Sequence, residues 1–556
     1  MRVRRQIEDF LASLKSRMPD TELRIMVGMA QGADLLVARA ALTAGWQVDA
    51  ILPMPLNQYV EDFDSDSSAA LLTLLEEPSV HCTVLAAPAG LESTSESVQR
   101  DALYANLTEA LIDKCNLLLA LWDGEGSPLP GGTADTVLRY LGARTFQRED
   151  RRRIEIEPAV ADPAWGPHFV YWIPTMRSGD AAMPTREPTY LSGIGENLLA
   201  VHKAMPLALE HQLSELNVYN REFERLRKKN AFARLDSLMP ALGPIGSHDD
   251  RESLERIDFE YGKADALAIY YQRHSDRLFL WFSYMACGMA LVFLIYAKLH
   301  ASNVLLVVYL AMLVFGVVVF YFVRNQQWFS KHLIYRVLAE TMRTKFFLRA
   351  AKADRLVNAT ELINLTGIDQ FAGFSWIGNL LKNIEPLDSQ DSSFIADDAA
   401  RIESVHRHWI LGQKEYFSTR VRTFERAHRR LEKLKSILLC AIVALALILL
   451  VFTDELHARM IGAVTAKDAI MFLMGLLPVV LGIWELYQNK QAMRELLWQY
   501  RNQLAHFTRA ELQLSRSTAR NQRKEILAQV GKESLMESYL WTIHRYHREY
   551  EPPSVS

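Results

Sequence analysis

Four uncharged apolar runs constrain this chain more than any other feature. They are 278–297 (LFLWFSYMACGMALVFLIYA), 299–323, 436–453 and 469–484. A helix crossing about 30 Å of hydrocarbon needs roughly 20 apolar residues, so the first three qualify by length. The fourth holds Pro478 and needs its flanks near Lys467 and Tyr487 to be long enough. The runs pair as two hairpins. None of them contains Asp, Glu, Lys or Arg. Coupled transporters and proton relays keep such groups at mid-membrane, so their absence argues against that class. Gly288, Gly316, Gly475 and Gly482 are positions where helices can approach closely.

Lysine and arginine placement sets the expected orientation. The connection between the first two runs holds only Lys298, beside His300, and the connection between the last two is short and charge-balanced. The opposite ends are basic. Arg273 and Arg277 precede run one, and Arg324, Lys331, Arg336, Arg343, Lys345 and Arg349 follow run two. Seven basic residues from Arg420 to Lys435 precede run three, and Lys490 and Arg494 follow run four. The expectation is a multi-pass protein of the cytoplasmic membrane with both termini and the 324–435 stretch in the cytosol. The basic 420–435 stretch, just ahead of a span, suits lipid headgroups better than nucleic acid.

With 556 residues, more than one core is expected. Net charge is −3, so the whole chain carries no nucleic-acid footprint. The four cysteines (Cys82, Cys115, Cys287, Cys440) form no CxxC, which argues against a disulfide framework or a zinc site. His544 and His547, with Trp541 and Tyr546, lack a cysteine or close carboxylate, so no metal is expected there either.

Residues 20–175 alternate between apolar strands and helices. Strands are expected at 24–29, 46–54, 80–87, 116–124 and 168–175, with helices near 33–44, 66–77 and 96–114 and another from Thr133. Such alternation implies a parallel sheet covered by helices. The fold class expected is therefore an α/β Rossmann-like parallel-sheet domain followed by an all-α domain with four transmembrane helices. Residues 176–195 have loop composition, about 196–240 reads as helical, 241–253 is a second break, and a long helix from about 254 runs into the first apolar run. The domains expected are 1–175, a connector at 176–253, and two hairpin modules at 254–410 and 411–556. The modules look like a repeat: YRVLAETMRTKFFL (335–348) parallels QYRNQLAHFTRAELQL (499–514).

Open parallel sheets bind ligands beyond the carboxyl ends of their strands. Two loops fit. GMAQGAD (28–34) follows the first strand, and Gly28, Gln31, Gly32 and Asp34 are its candidate binding residues. A helix starting there aims free amides at a phosphate. WDGEGSPLPGGT (122–133) follows the fourth strand. In it Trp122 offers a stacking face, Asp123 accepts from ribose hydroxyls, and Gly124, Gly131, Gly132 and Thr133 shape a second donor-rich turn. Taken singly, each loop also reads as a plain tight turn.

GMAQGAD, ILPMPLNQYVEDF (51–63) and LWDG…PGGTAD (121–135) resemble the SLOG superfamily of Rossmann-like nucleotide-binding domains, over about 20–175. WILGQKEYF (409–417) and YRVLAETMRTKFF (335–347) resemble two copies of the SLATT type, a two-helix membrane module found with SLOG domains in bacterial conflict systems. The resemblance implies a defence effector: a nucleotide-derived second messenger is sensed and the membrane module, as a homo-oligomer, forms a pore. Two departures stand out. The chain opens on a helix instead of a strand with a Gly-His-Arg-like turn, and Pro130–Thr133 match the family's hydrolase motif only partly, without its glutamate. The alternative is a membrane-tethered nucleotide or NAD N-glycosidase using Asp123 and Asp135. A single-strand DNA binder ranks last, because few basic residues lie in the two loops.

Overall fold

The computed structural model describes residues 2–88, 90–91, 95–126, 131–142, 155–159, 168–176, 187–195, 198–232, 234–242, 248–324, 326–357, 374–384, 398–458, 460–461, 464–490 and 493–548. Residues 127–130 of the second glycine loop and 177–186 of the expected 176–195 loop lie outside these, as do the side chains of His544, Tyr546 and His547. The chain forms two compact units. One comprises Met1–Arg234, Pro244–Ile257 and Val357–Ala396; the other comprises Leu235–Gly243, Asp258–Leu356 and Asp397–Ser556.

In the first unit, α1 (Arg2–Arg17) buries Ile7, Phe10, Leu11 and Leu14. That is the i, i+3, i+4, i+7 stripe of an amphipathic helix. Phe10 stacks on Tyr171 with ring centroids 3.9 Å apart. Strands β1 (Arg24–Val27), β2 (Gln47–Leu52) and β3 (Val80–Val84) form a parallel three-stranded sheet in the order β1-β2-β3. Between them lie α2 (Ala33–Thr43), a short helix α3 (Leu56–Tyr59) and α4 (Ser65–Leu75). The helices α5 (Glu96–Lys114) and α6 (Thr133–Tyr140) flank β4 (Leu118–Trp122). A second, five-stranded sheet runs β4-β6-β7-β8-β5, with β5 at Glu155–Pro158, β6 at Val170–Pro174, β7 at Thr189–Gly195 and β8 at Leu198–His202. The β4–β6 pair is parallel, whereas β7 is antiparallel to both neighbours.

The five strands expected from sequence all form, but the second sheet is mixed and reaches residue 202. Within the stretch read as helical from 196, Leu198–His202 is strand β8, and α7 starts only at Leu207 (Leu207–Lys228). The end of the 176–195 stretch, read as a loop, is strand β7. Its serine and glycines looked like turn residues, yet Gly193 has a packing reason: a Cβ there would lie 2.3 Å from the Leu141 carbonyl oxygen. Behind this sheet, Trp122, Val137, Leu138, Val170, Trp172, Leu191 and Leu199 form one apolar core.

The second unit is helical and repetitive. The first set is α8 (His248–Leu294, 47 residues, of which those from Asp258 belong here), α9 (Asn303–Arg324, 22 residues) and α10 (Trp328–Ala350, 23 residues). The second is α11 (Gly412–Ala458, 47 residues), α12 (Ala466–Lys490, 25 residues) and α13 (Met493–Arg516, 24 residues), followed by α14 (Arg520–Arg548). Near-equal lengths in the same order give the 335–348 and 499–514 match a structural counterpart.

Each set is fastened in the same way, by the arginine of a Tyr-Arg pair. Arg336 on α10 reaches Asp265 on α8 at 3.2 Å, and Arg501 on α13 reaches Glu425 on α11 at 2.7 Å. The neighbouring tyrosines pack alike, Tyr335 on Tyr271 and Tyr500 on Phe424. In the first set the contact grows into a half-buried network. Glu340 accepts from Arg336 at 2.6 Å and from Arg343 at 2.7 Å, and Arg343 also donates to the Tyr261 hydroxyl. Burial alone would raise the Glu340 carboxyl, but Arg343 and Arg336 outweigh it and hold the group below its usual range.

Among the described residues, four helices are long and apolar enough to cross a membrane, their most apolar windows having mean hydropathy from 1.8 to 3.0 and at most 6% burial. Large apolar side chains on them stand open, including Leu450 at 78% and Val304 at 69%. In water such a surface would be untenable; in lipid it is the expected one. The glycines serve close packing here: a Cβ at Gly316 would meet Met285, at Gly288 Met312, and at Gly475 Leu294, while Gly482 has open space.

Replacing Glu340 with Gln removes the carboxylate that Arg336 and Arg343 share and leaves Asp265 to Arg336. The expected cost is about 3 kcal/mol, whereas Glu252→Gln, at the exposed Arg256 pair, costs about 0.5 kcal/mol or less. Thermal unfolding of the full chain in detergent measures both.

Candidate functional site

Both glycine loops lie in the first unit and are built on one plan. In the first, β1 ends at Val27 and α2 opens at Ala33. Met29 turns through the left-handed region (φ 59°) with its side chain fully buried, and Gly32 follows at φ 96°. The Ala30 amide donates to Asp34 Oδ2 at 3.0 Å. In the second, Gly131 (φ 78°) donates its amide to Asp135 Oδ2, also at 3.0 Å. Each time, the first-turn aspartate reaches back four residues and ties the loop to the helix it starts. Neither helix has a side-chain cap at its glycine N-cap, Gly32 or Gly132. The amides at these two ends therefore lack the usual Ser, Thr or Asp partner.

Helix α5 joins the two loops. Leu107 sits under Gly28, where a Cβ would approach Leu107 Cδ2 to 2.9 Å. A Cβ on Gly131 would lie 2.7 Å from the Tyr104 carbonyl. One turn below, Thr108 and Thr136 share a buried hydroxyl contact at 3.2 Å. A third segment closes over them. Tyr59, fully buried, donates to the Gly28 carbonyl at 2.8 Å. Asp62 accepts from Arg100 and from the Tyr104 hydroxyl, both at 2.8 Å. Gln31 donates to Asp64, whose other oxygen caps α4 by accepting from the Ser67 amide. That backbone bond holds the Asp64 carboxyl below its ordinary range. Burial pushes Asp34 the other way, with the Ala30 amide in partial opposition.

The candidates from sequence thus divide. Gly28, Gln31, Gly32, Asp34, Gly131, Gly132 and Thr133 line the two turns, with Thr133 exposed at the start of α6. Trp122 gives no stacking face: it is 3% exposed, its ring lies against Trp172, and its Nε1 donates to the Glu125 carbonyl. Strand alternation points it into the core. Gly124 (φ 85°) is held over the Trp172 ring. Asp123 accepts from the Glu125 amide at 2.9 Å, a tight local turn. Asp135 is held by Gly131 and lies 3.6 Å from Arg139, which also pairs with Glu109. Both carboxylates named for hydrolysis therefore already hold backbone amides. Among the described residues no group of three or more His, Cys, Asp or Glu is close enough to bind a metal.

Sequence reasoning missed Tyr59, Asp62, Arg100 and Tyr104. Two signals were available. Tyr59 and Asp62 sit within the 51–63 segment already singled out, and Arg100, Tyr104, Leu107 and Thr108 share one α5 face by spacing. The charge balance is also informative. Asp34, Asp62, Asp64, Asp123 and Asp135 surround the loops, and the nearby cations Arg100 and Arg139 are both ion-paired. Such a rim repels a bare polyphosphate and suits hydroxyl donors, with at most one phosphate at an uncapped helix end.

Alanine at Gly131 meets both left-handed strain and the α5 backbone, so the expected loss is about 2–4 kcal/mol. Gly32→Ala meets strain alone, since nothing lies within 4 Å of its Cβ, and should cost about 1–2 kcal/mol. Thermal unfolding of the two full-length variants reads the difference.

Comparisons with protein-family models, with curated proteins and with solved structures return no match to this chain.

Proposed function

We propose that this chain is a membrane effector that senses a nucleotide-derived ligand through the α5-joined loops and answers by opening a pore in the bilayer. The observation that carries the reading is a pairing within one polypeptide: two glycine turns with uncapped helix ends in one unit, and four helices fit to cross a membrane in the other. The parallel pairings β1–β2, β2–β3 and β4–β6 support a Rossmann-like core for the sensing part. The SLOG and SLATT resemblances put such a protein in bacterial conflict or anti-phage defence. The cytoplasmic membrane, with both termini in the cytosol, follows from the basic flanks of the spans. Because the four spans carry no charged residue, a water-filled path through them requires several subunits, so the effector acts as a homo-oligomer. The chain passes between the units at five points, and one of them lies within helix α8. The N-glycosidase reading is weaker, because Asp123 and Asp135 both serve as acceptors for loop amides.

The test is dye release from liposomes holding the purified full-length protein, challenged with mononucleotides, dinucleotides and cyclic nucleotides. One of them should release dye and bind by calorimetry. Arg100→Ala, which frees Asp62, and Asp123→Ala should each weaken that binding about tenfold. A well-folded oligomer that releases nothing with any of them defeats the proposal, and release of free base from the ligand would favour the hydrolase instead.

A further inference from the structure

The polar contact between α13 and α14 is one hydrogen short. Gln503 on α13 is 3% exposed and donates through Nε2 to Glu537 Oε2 on α14 at 2.8 Å. The remaining oxygens, Gln503 Oε1 and Glu537 Oε1, are both buried and have no donor. With a carboxylate at 537, both acceptors stay unsatisfied away from water. A single proton on Glu537 repairs both, because the acid O–H then donates to Gln503 Oε1 while the amide donates back.

We propose that Glu537 is a proton-binding site, and that its neutral acid forms a reciprocal two-bond pair with the Gln503 carboxamide that clasps α14 to α13. Burial supports the assignment by pushing the Glu537 carboxyl up to about 7. Several charged groups on the surrounding elements are engaged elsewhere, and the buried Lys345 also lies on α10. On α13, His506 lies 3.0 Å from Glu533; on α10, Glu340 holds Arg336 and Arg343. At the turn Asp354–Leu356, Asp354 takes Arg349, and on the helix Asp398–Val405, Glu403 takes Arg523. Farther along α14, Arg545 lies over the Trp541 and Phe329 rings.

The position gives the proton leverage. α14 also meets α10, where the Tyr539 and Thr341 hydroxyls contact at 3.1 Å. It therefore meets the return helices of both repeats, and the clasp is one of the contacts that tie it to α13. The sign follows from the raised value. An ordinary glutamate titrates near 4.5 and this one near 7. Stability from the neutral form is complete below the ordinary value, declines as pH rises through about 7, and stays at its lower level above that.

The experiment uses the full-length protein in detergent, with unfolding midpoints taken from about pH 5 to about pH 9. The wild type should lose stability through neutrality. Glu537→Gln, a neutral isostere, should hold the acid-side midpoint across that range, and His506→Gln should keep the wild-type slope. Infrared spectra should show a protonated-carboxyl band in the wild type at about pH 6 that fades by about pH 9 and is missing in Glu537→Gln. Glu537→Gln retaining the slope, His506→Gln abolishing it, or a wild-type band unchanged by the substitution would each overturn the proposal.

Discussion

Each apolar hairpin is held together at its base by an arginine reaching an acid on the opposite helix, Arg336 to Asp265 and Arg501 to Glu425. The spans carry no charge and offer each other only van der Waals contact, so ionic fastening has to sit beyond their ends. The Tyr-Arg pair supplies it twice, with the tyrosine adding an aromatic contact beside each ion pair. In the first repeat the fastening is reinforced by Glu340 and Arg343. In the second the arginine is more exposed, with Arg501 more than half accessible, and Lys414 on α11 adds an ion pair to Glu511 on α13. Buried pairs resist screening better than exposed ones, so the two repeats are unequally tied despite their shared plan.

In the other unit, organisation centres on α5. Its Tyr104 and Leu107 are the floor on which the glycine turns rest, and its Arg100 and Tyr104 hold the Asp62 segment over them. The glycines are thus explained twice, by backbone conformation and by the closeness of this helix. An aspartate on the first turn of each following helix completes both loops in the same manner. The result is a rim rich in acceptors, whose chemical complement is a hydrogen-bond donor.

Much of this was legible in the sequence. The four spans follow from apolar length, and the long helix entering the first of them follows from continuous helical patterning up to Arg277. The five strands from 24 to 175 follow from short apolar runs between helical segments. What was not legible has physical causes. Strand β7 was hidden because Ser192 and Gly193 resemble turn residues, and the role of Gly193 depends on the Leu141 carbonyl, far away in sequence; the short apolar run of β8 read as the start of a helix. The same limit applies to Trp122, because an aromatic ahead of a glycine turn reads equally as platform or core, and only the position of Trp172 decides. Arg100 and Tyr104 look like ordinary surface residues of an amphipathic helix until Asp62 is brought beside them.

The first helix of each repeat is 47 residues long. At 1.5 Å per residue, α11 is a rod of about 70 Å, more than twice the thickness of a hydrocarbon layer. Its only break in helical backbone is at Phe452, near one tip. A stiff rod of that length converts angle into distance: a tilt of about 5° at one end carries the other through about 6 Å. Small rearrangements among the clasping helices are therefore magnified mechanically, and the molecule needs no large motion at its anchor to displace the far rim of a hairpin.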